Sequence, residues 1–152
     1  MPIGSDKGFI VKPGFDPLAA QAVLTGGLWA WGRNNRGQLG VGNTTSYSSP
    51  VQIGALTWDK FAAGLETTIA IKGGTFWAWG KNADGQLGQG NTTDYSSPVQ
   101  VGALTNWLKL TAAPYGEAVG AIKTDGTLWT WGYGYQGSLG LGNTTSYSSP
   151  VQ

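Results

Sequence analysis

Two residue types that carry much of protein chemistry are missing from this chain of 152 residues, which contains no cysteine and no histidine. The lack of cysteine excludes disulfides and thiolate metal sites, and the lack of histidine removes the commonest metal ligand and general base. No metal or cofactor is therefore expected. The acidic residues stand singly, which does not indicate the carboxylate pair of a glycosidase: Asp59, Glu66, Asp84, Asp94, Glu117 and Asp125. We interpret the chain as a non-enzymatic protein without catalytic residues.

Charge and long apolar runs are also scarce. The chain has 9 basic and 8 acidic residues and a formal net charge of +1, and its basic residues are scattered without a run or stripe. This pattern argues against nucleic-acid binding, which needs a clustered basic surface. No stretch approaches the roughly 18 apolar residues of a membrane helix. The N-terminus lacks the basic start and apolar run of a signal peptide. The sequence predicts a soluble protein with no membrane insertion and no recognisable secretion signal.

The chain is rich in glycine and tryptophan, with 26 and 8 residues. Such a composition favours short strands, tight turns and aromatic packing, and hence an all-β fold. One unit occurs three times, starting near residues 28, 76 and 128, and its copies read LWAWGRNNRGQLGVGNTTSYSSPVQ, FWAWGKNADGQLGQGNTTDYSSPVQ and LWTWGYGYQGSLGLGNTTSYSSPVQ. Trp31 and Trp79 lie 48 residues apart, and Trp79 and Trp131 lie 52 apart. This period suits a propeller blade.

Each unit carries the signals of four strands. The Leu-Trp-Ala-Trp run alternates, so its two tryptophans share one strand face. The run Thr67 to Lys72 also alternates, and its counterpart Ala118 to Lys123 is apolar on both faces, which predicts that neighbouring blades cover both faces of these strands. Gly-Gly and Asp-Gly sequences predict hairpins that lead from these strands into the tryptophan strands. Lys60 to Ala63 and Pro50 to Ile53 are the two further predicted strands.

One motif recurs in each copy. It consists of a Trp-Gly strand end, four variable residues, a Gly-Gln-Leu-Gly sequence and a downstream proline. The motif stands as WGRNNRGQLG, WGKNADGQLG and WGYGYQGSLG, the last with serine in place of glutamine. Over about residues 28 to 152 the chain resembles the repeats of the RCC1 (regulator of chromosome condensation) β-propeller family. The resemblance implies RCC1-type blades, about two of them complete with four strands and part of a third, in a ring that one chain leaves incomplete.

The chain departs from the family pattern in two respects. The family's Ser-Ala-Gly before the second strand stands here as Ala-Ala-Gly at 62–64 and as Ala-Ala at 112–113, and Thr67 or Ala118 lies near the position of the family's histidine. These differences argue against a nucleotide-exchange or chromatin role. Family propellers also close with about seven blades. The chain is therefore expected to be part of a longer protein or to share a ring in a homo-oligomer.

Residues 1–27 precede the repeats and are expected to form an N-terminal docking or linker segment. Within it, Gly8 to Phe15 has the pattern of a short apolar strand broken by Pro13. A short docking segment ahead of near-identical repeats resembles the arrangement in a bacteriophage virion or tail-fibre protein. This second resemblance implies a location in a phage particle.

The tryptophans and the leucines between the glycines are the expected core. Their placement on strands favours packing over a carbohydrate-stacking surface. The glycines are expected at turns that need a permissive backbone, since no phosphate-binding pattern is present. The Asn-Thr-Thr sequences match a glycosylation acceptor, but local turn hydrogen bonds are the better explanation. The predicted core residues are Trp29, Trp31, Leu39, Trp77, Trp79, Leu87, Trp129, Trp131 and Leu139.

Two kinds of loop are candidates for partner contact. The four residues after each Trp-Gly differ between copies in a constant frame, which predicts a solvent-exposed loop where recognition can vary. The segment Pro114 to Glu117, longer than its earlier counterpart Leu65-Glu66, predicts a bulge on another rim. Drift without a partner is the alternative for both. Because arginine and tyrosine are common at binding hot spots, the candidate contact residues are Arg33, Asn35, Arg36, Lys81, Asp84, Tyr115, Glu117, Tyr133 and Tyr135.

A fixed frame with varied loops favours a recognition or structural module. The leading hypothesis is a virion or tail-fibre-type recognition protein whose loops contact a protein or a cell-surface receptor. The alternative is a propeller-type inhibitor or regulator of a soluble protein, which the resemblance to the RCC1 family allows. A catalytic role is a third hypothesis, which loss of activity on replacement of Glu117 or Asp84 would support, although the sequence offers no nucleophile-base pair. Pure scaffolding is the remaining hypothesis, with strand edges at Lys60 to Ala63 and Pro150 to Gln152 as association surfaces.

Overall fold

The computed structural model describes residues 9–11 and 27–152, which form three antiparallel sheets and a single 3₁₀ turn at Tyr135–Gly137. The first sheet contains β1 (Phe9–Val11), β2 (Gly27–Gly32) and β3 (Tyr47–Thr57). The second contains β4 (Lys60–Ala63), β5 (Thr67–Lys72), β6 (Thr75–Gly80) and β7 (Tyr95–Gln100). The third contains β8 (Trp107–Ala112), β9 (Ala118–Lys123), β10 (Leu128–Gly132) and β11 (Tyr147–Val151). Within each sheet, every strand pairs with its neighbour in the chain.

The strand predictions are largely confirmed. β4 has the predicted bounds, whereas β3 is longer than the predicted Pro50 to Ile53. β1 pairs with β2 in antiparallel register, so that part of the expected docking segment supplies a strand to the first sheet. The remainder of residues 1–26 lies outside the described residues, and the predicted boundary at residue 27 stays a prediction.

Both predicted hairpins are present. Lys72 pairs with Thr75 across the Gly-Gly turn between β5 and β6. Between β9 and β10, the Thr127 hydroxyl and backbone N–H donate to Asp125 Oδ1 at 2.6 and 3.0 Å. These two hydrogen bonds stabilise the charged carboxylate, and they lower the pKa of Asp125. The Asp-Gly sequence therefore forms the tight turn that leads the chain into the third tryptophan strand.

The sheets pack face to face in chain order, and we call the face of a sheet that meets the following sheet its forward face and the opposite face its rear face. Between the first two sheets, Leu28, Ala30, Leu39 and Ile53 pack against Trp58, Ala70 and Trp79. Between the second and third sheets, Ile69, Ile71, Phe76, Ala78, Leu87 and Val101 pack against Trp107, Val119, Ala121 and Trp131. Alternation along β6 sends Phe76 forward and Trp79 to the rear, so one strand serves two cores.

The predicted core residues differ in burial. Leu39, Leu87 and Leu139 are buried, as are the inner tryptophans Trp79 and Trp131. Trp29, Trp31, Trp77 and Trp129 are half-buried. The indole N–H groups of Trp77 and Trp129 donate to the Thr75 and Thr127 hydroxyls. Two buried tryptophans that the sequence analysis did not single out, Trp58 and Trp107, complete the aromatic packing, with Trp58 and Trp79 centroids 5.5 Å apart.

One burial prediction is wrong for the third sheet. β5 is buried on both faces, as predicted, because a sheet packs on each side of it. In β9 the rear-facing Val119 and Ala121 are buried, but the forward-facing Ile122 is only half-buried. The reason is that the described residues form no fourth sheet to cover this face.

The Gly-Gln-Leu-Gly turn locks each sheet to the next. The Gln38 carbonyl accepts hydrogen bonds from Trp79 Nε1 at 3.0 Å and from the Thr68 hydroxyl at 2.8 Å. In the next copy, the Gln86 carbonyl accepts from Trp131 Nε1 at 3.1 Å. The following glycine, Gly88, has φ +72° and lies so close that a Cβ on it would be 2.8 Å from Trp131 Nε1. Only glycine satisfies both the backbone and the space at this position.

Buried asparagines hold the loops that precede these turns. Asn82 Oδ1 accepts from the Leu87 N–H at 2.9 Å, and its Nδ2 donates to the Asn91 carbonyl at 3.0 Å. Asn34 makes the same bonds with Leu39 and Asn43. The prediction that all four residues after Trp-Gly are solvent-exposed is therefore wrong for the second position. The predicted Asn-Thr-Thr turns are confirmed, since the carboxamide oxygens of Asn43, Asn91 and Asn143 each accept from the backbone N–H two residues later.

The glycine at the sheet junction provides a matched test. We expect Gly140→Ala to cost about 1–2 kcal/mol, because Gly140 also has positive φ but has open space around it. Gly88→Ala should cost about 1–3 kcal/mol more, because the new methyl also collides with Trp131 and Val101. Urea unfolding of both variants in dilute solution, followed by tryptophan fluorescence, measures the difference. Equal losses would show that the turn is not tightly docked.

The variant Asn82→Ala tests whether the hydrogen bonds of this buried side chain hold the second Trp-Gly loop in place. It leaves the buried Leu87 N–H without its acceptor, so we expect a loss of about 2–3 kcal/mol in the free energy of unfolding. The control is Asn35→Ala, whose side chain is exposed and which should change stability by less than about 0.5 kcal/mol. Chemical denaturation of the two variants side by side makes the comparison. If the free energy of unfolding falls no more in Asn82→Ala than in the control, Asn82 does not stabilise this loop.

Candidate functional site

The variable loops lie on one rim of the stacked sheets. The rim consists of the loops after Trp-Gly (33–36, 81–84 and 133–136), the β4–β5 loop (64–66) and the β8–β9 loop (113–117). The Lys81 N–H donates to the Glu66 carbonyl at 2.8 Å, and the Tyr133 N–H donates to the Glu117 carbonyl at 2.7 Å. These bonds hold the two kinds of loop together.

The expectation that Pro114 to Glu117 bulges from another rim is therefore wrong. In the antiparallel pair of β9 and β10, Gly132 lies opposite Ala118. The end of the tryptophan strand and the start of β9 consequently meet at the same edge of the sheet. The same register brings Gly80 opposite Thr67 in the second sheet.

Charged contact candidates of the first Trp-Gly loop are paired across the sheet junction. Arg33 Nη2 lies 3.4 Å from Glu66 Oε1, and Arg36 Nη1 lies 3.3 Å from Asp94 Oδ2. Nearly half of each arginine side chain is exposed, so each pair contributes only about 0.2–1 kcal/mol. Asn35 is exposed beside them. The first loop thus bridges two sheets, and its arginines form ion pairs with acidic residues of the same chain.

The second loop is neutralised within itself. Lys81 Nζ lies 3.8 Å from Asp84 Oδ2, and the Asp84 N–H donates to Gln86 Oε1 at 2.8 Å. Both charged side chains are only partly exposed. This loop offers a partner little unpaired charge.

The third loop differs in both sequence and conformation. Gly134 replaces the buried asparagine of the other copies, and a Cβ there would lie 2.0 Å from the Thr145 carbonyl oxygen. The chain then forms the 3₁₀ turn that starts at Tyr135, with Gln136 at φ 55°. As a result the rings of Tyr133 and Tyr135 stack with centroids 5.8 Å apart and an interplanar angle of 28°. Tyr135 is 59% exposed, whereas Tyr133 is half-buried.

The β8–β9 loop adds a further exposed aromatic ring to the rim. Gly116 is buried, and a Cβ on Gly64 would lie 2.5 Å from the Gly116 Cα, so the two loops are in close contact. Tyr115 projects from this packed base and is 70% exposed. Glu117 is half-buried, and its carbonyl holds the third Trp-Gly loop. Tyr115, Tyr133 and Tyr135 thus lie on one rim, which we call the tyrosine rim.

Sequence reasoning missed two members of this surface, Glu66 and Asp94, which it treated only as isolated acids. Glu66 has a signal in the repeat, because Glu117 stands at the equivalent position of the next copy. Asp94 has none, since the other copies carry serine there. Asp94 Oδ1 accepts from the Asn82 N–H at 2.7 Å, as the Ser46 and Ser146 hydroxyls do in their copies.

The chemistry of the rim is aromatic and polar. In residues 9–11 and 27–152, no group of three or more acidic side chains is placed to hold a metal ion. The described chain also contains no helix long and apolar enough to cross a membrane. Exposed tyrosine rings on a fixed base are suited to contact with another macromolecule.

Comparison with known proteins identifies the repeats. The family model for the regulator of chromosome condensation (RCC1) repeat matches residues 25–71, 73–116 and 125–152. The X-linked retinitis pigmentosa GTPase regulator of the dog is 37% identical over 138 residues, which cover 86% of this chain and 14% of that protein. The chain thus spans a small part of this relative's length.

Solved structures share the fold. Human WBSCR16 superposes with a TM-score of 0.66 at 26% identity, covering 82% of this chain and 34% of that one. Prp20p of Saccharomyces cerevisiae superposes with a TM-score of 0.72 at 18% identity, covering 83% and 34%.

The sheets are therefore RCC1-type propeller blades, and within the described residues they form an open arc and not a closed ring. The virion and tail-fibre hypothesis gains no support from these relatives, whereas the RCC1-type repeats agree better with the alternative of a propeller-type regulator of a soluble protein. Because the three matched repeats cover most of the sequence, the chain belongs to the RCC1 repeat family.

Proposed function

We propose that the chain is a non-catalytic protein-binding module of a regulator, and that the tyrosine rim is its contact site for a soluble protein partner. The observation that carries this proposal is the stacking of the half-buried Tyr133 on the exposed Tyr135, on the same rim as the exposed Tyr115. The charged candidates of the other two Trp-Gly loops are engaged in ion pairs within the chain.

The tyrosine rim has the physical properties of a protein-binding hot spot. Tyrosine supplies a large apolar face and a polar hydroxyl, and it loses little conformational entropy when it is bound. Stacking orients the rings of Tyr133 and Tyr135 before a partner arrives. The buried Gly116 and the backbone bond from Tyr133 to Glu117 fix the loops beneath them. A partner therefore meets a surface that needs little reorganisation.

The relatives agree with a partner that is a protein. The canine relative is named as a GTPase regulator. The structure of Prp20p is described together with its binding to Gsp1p and histones, and yeast RCC1 has been solved bound to Kap60. These partners are those of the relatives. For this chain they support only the kind of partner, which is a protein.

Replacement of the stacked tyrosines tests the proposal. A lysate of the source cells is passed over the immobilised chain, the retained proteins are identified by mass spectrometry, and the most enriched one is purified for calorimetric titration. We expect the double variant Tyr133→Ser/Tyr135→Ser to bind this partner at least about 30-fold more weakly, since a hot-spot residue contributes about 2 kcal/mol or more.

The matched control is Arg33→Ser/Arg36→Ser, which removes the exposed charges of the first loop and should change the dissociation constant by less than about threefold. Unfolding curves verify that both variants remain folded. Equal affinity of the tyrosine variant and the wild type refutes the tyrosine rim as the contact site. Retention of no protein above a blank column refutes the protein-binding function itself.

A further inference from the structure

Two equivalent glutamates on the rim differ in their charge partners. Glu66 and Glu117 stand at the ends of the β4–β5 and β8–β9 loops, beside the loops after Trp-Gly. At the junction of the first and second sheets, Glu66 Oε1 lies 3.4 Å from Arg33 Nη2. At the junction of the second and third sheets, no basic side chain among the described residues forms an ion pair with Glu117. The half-buried Glu117 is therefore a negative charge that the described chain does not neutralise.

The cause of this difference lies in the loops after Trp-Gly. Lys81 stands at the position of Arg33, but its Nζ lies 3.8 Å from Asp84 Oδ2 in its own loop. The first loop has Arg36 at the position of Asp84, so Arg33 finds no acid there and pairs with the following sheet. Both sides of the second junction are described, and the unpaired glutamate follows from the sequence of the loop that faces it.

The surroundings of Glu117 are aromatic. Tyr115 lies two residues earlier in the same loop and is 70% exposed. The Tyr133 N–H donates to the Glu117 carbonyl at 2.7 Å, so the third Trp-Gly loop begins beside it. In residues 113–117 and 133–138, Glu117 is the only charged residue. Both a carboxylate and the faces of tyrosine rings attract cations, so this part of the rim is complementary to a positive group.

We propose that Glu117 and Tyr115 receive an arginine side chain of the protein partner. This inference rests on the proposed function, and it names the group by which the tyrosine rim recognises that partner. Arginine suits the site better than lysine, because its planar guanidinium pairs with a carboxylate and stacks on an aromatic ring. The chain itself contains such a pair at the first junction, where Glu66 binds the guanidinium of Arg33.

A titration with small peptides tests the arginine site directly. The probe is acetyl-Gly-Arg-Gly-amide, and its control is the same peptide with citrulline, which keeps the shape of arginine but carries no charge. The backbone amide signals of residues 113–117 and 133–136 are followed by NMR spectroscopy. We expect the arginine peptide to shift these signals with a dissociation constant of about 1–10 mM, as befits so small a ligand. The citrulline peptide should bind at least about fivefold more weakly.

The variant Glu117→Gln removes the charge and keeps the size of the side chain. Its affinity for the arginine peptide should fall at least about fivefold, and the salt dependence of binding should disappear. The matched control is Glu66→Gln, which removes the same charge at a site that Arg33 already occupies. This control should bind the peptide within about twofold of the wild type. Thermal unfolding verifies that both variants are folded.

Equal binding of the arginine and citrulline peptides overturns the inference, as does wild-type affinity in Glu117→Gln. A peptide with lysine in place of arginine that binds as tightly overturns the choice of a guanidinium. If Tyr133→Ser/Tyr135→Ser loses the partner protein while Glu117→Gln binds it like the wild type, the arginine site fails and the proposed function stands. If the immobilised chain retains no protein, the proposed function fails, and with it the role of this site in recognition.

Discussion

The hydrogen bond from a buried indole N–H to the carbonyl of a glycine-flanked turn is the interaction on which the rest of the structure depends. Trp79 donates to Gln38 and Trp131 donates to Gln86, each from one sheet to the turn of the preceding one. An indole N–H in an apolar junction needs an acceptor, since an unpaired buried donor is costly. A side chain on the following glycine would hold the turn away from the ring. The same contact therefore gives the indole N–H an acceptor, sets the distance between the sheets and closes the edge of the apolar core between them.

Because every junction uses the same parts, stability is shared between neighbours as in other repeat proteins. β6 contributes Phe76 to one core and Trp79 to the other, so neither core is independent of the second sheet. On the equivalent face of the third sheet Leu128 is 58% exposed, because the described residues form no further sheet to cover it. The difference between a core residue and an exposed residue here lies in the neighbour and not in the amino acid.

This dependence explains what the sequence could and could not predict. Strand periodicity and turn chemistry are local, and they were sufficient for the hairpins and for the bounds of β4. Burial depends on the neighbouring sheet, so Leu28 and Leu128 look alike in sequence and differ in exposure. Asn34 and Asn82 were hidden in a segment whose other positions vary, although their identity in two copies was a usable signal. Trp58 and Trp107 lie outside the near-identical segments, so their role emerged only from packing.

For the candidate site, too, the sequence could not show which residues lie together. The sequence could nominate the Trp-Gly loops because they vary, but only the antiparallel register of β9 and β10 places Tyr115 and Tyr133 on one rim. Arg33 and Arg36 bridge to the following sheet, whereas the third loop carries Tyr133 and Gln136 at those positions. The same position on the rim therefore presents a charge paired across the sheet junction in the first copy and an aromatic ring in the third.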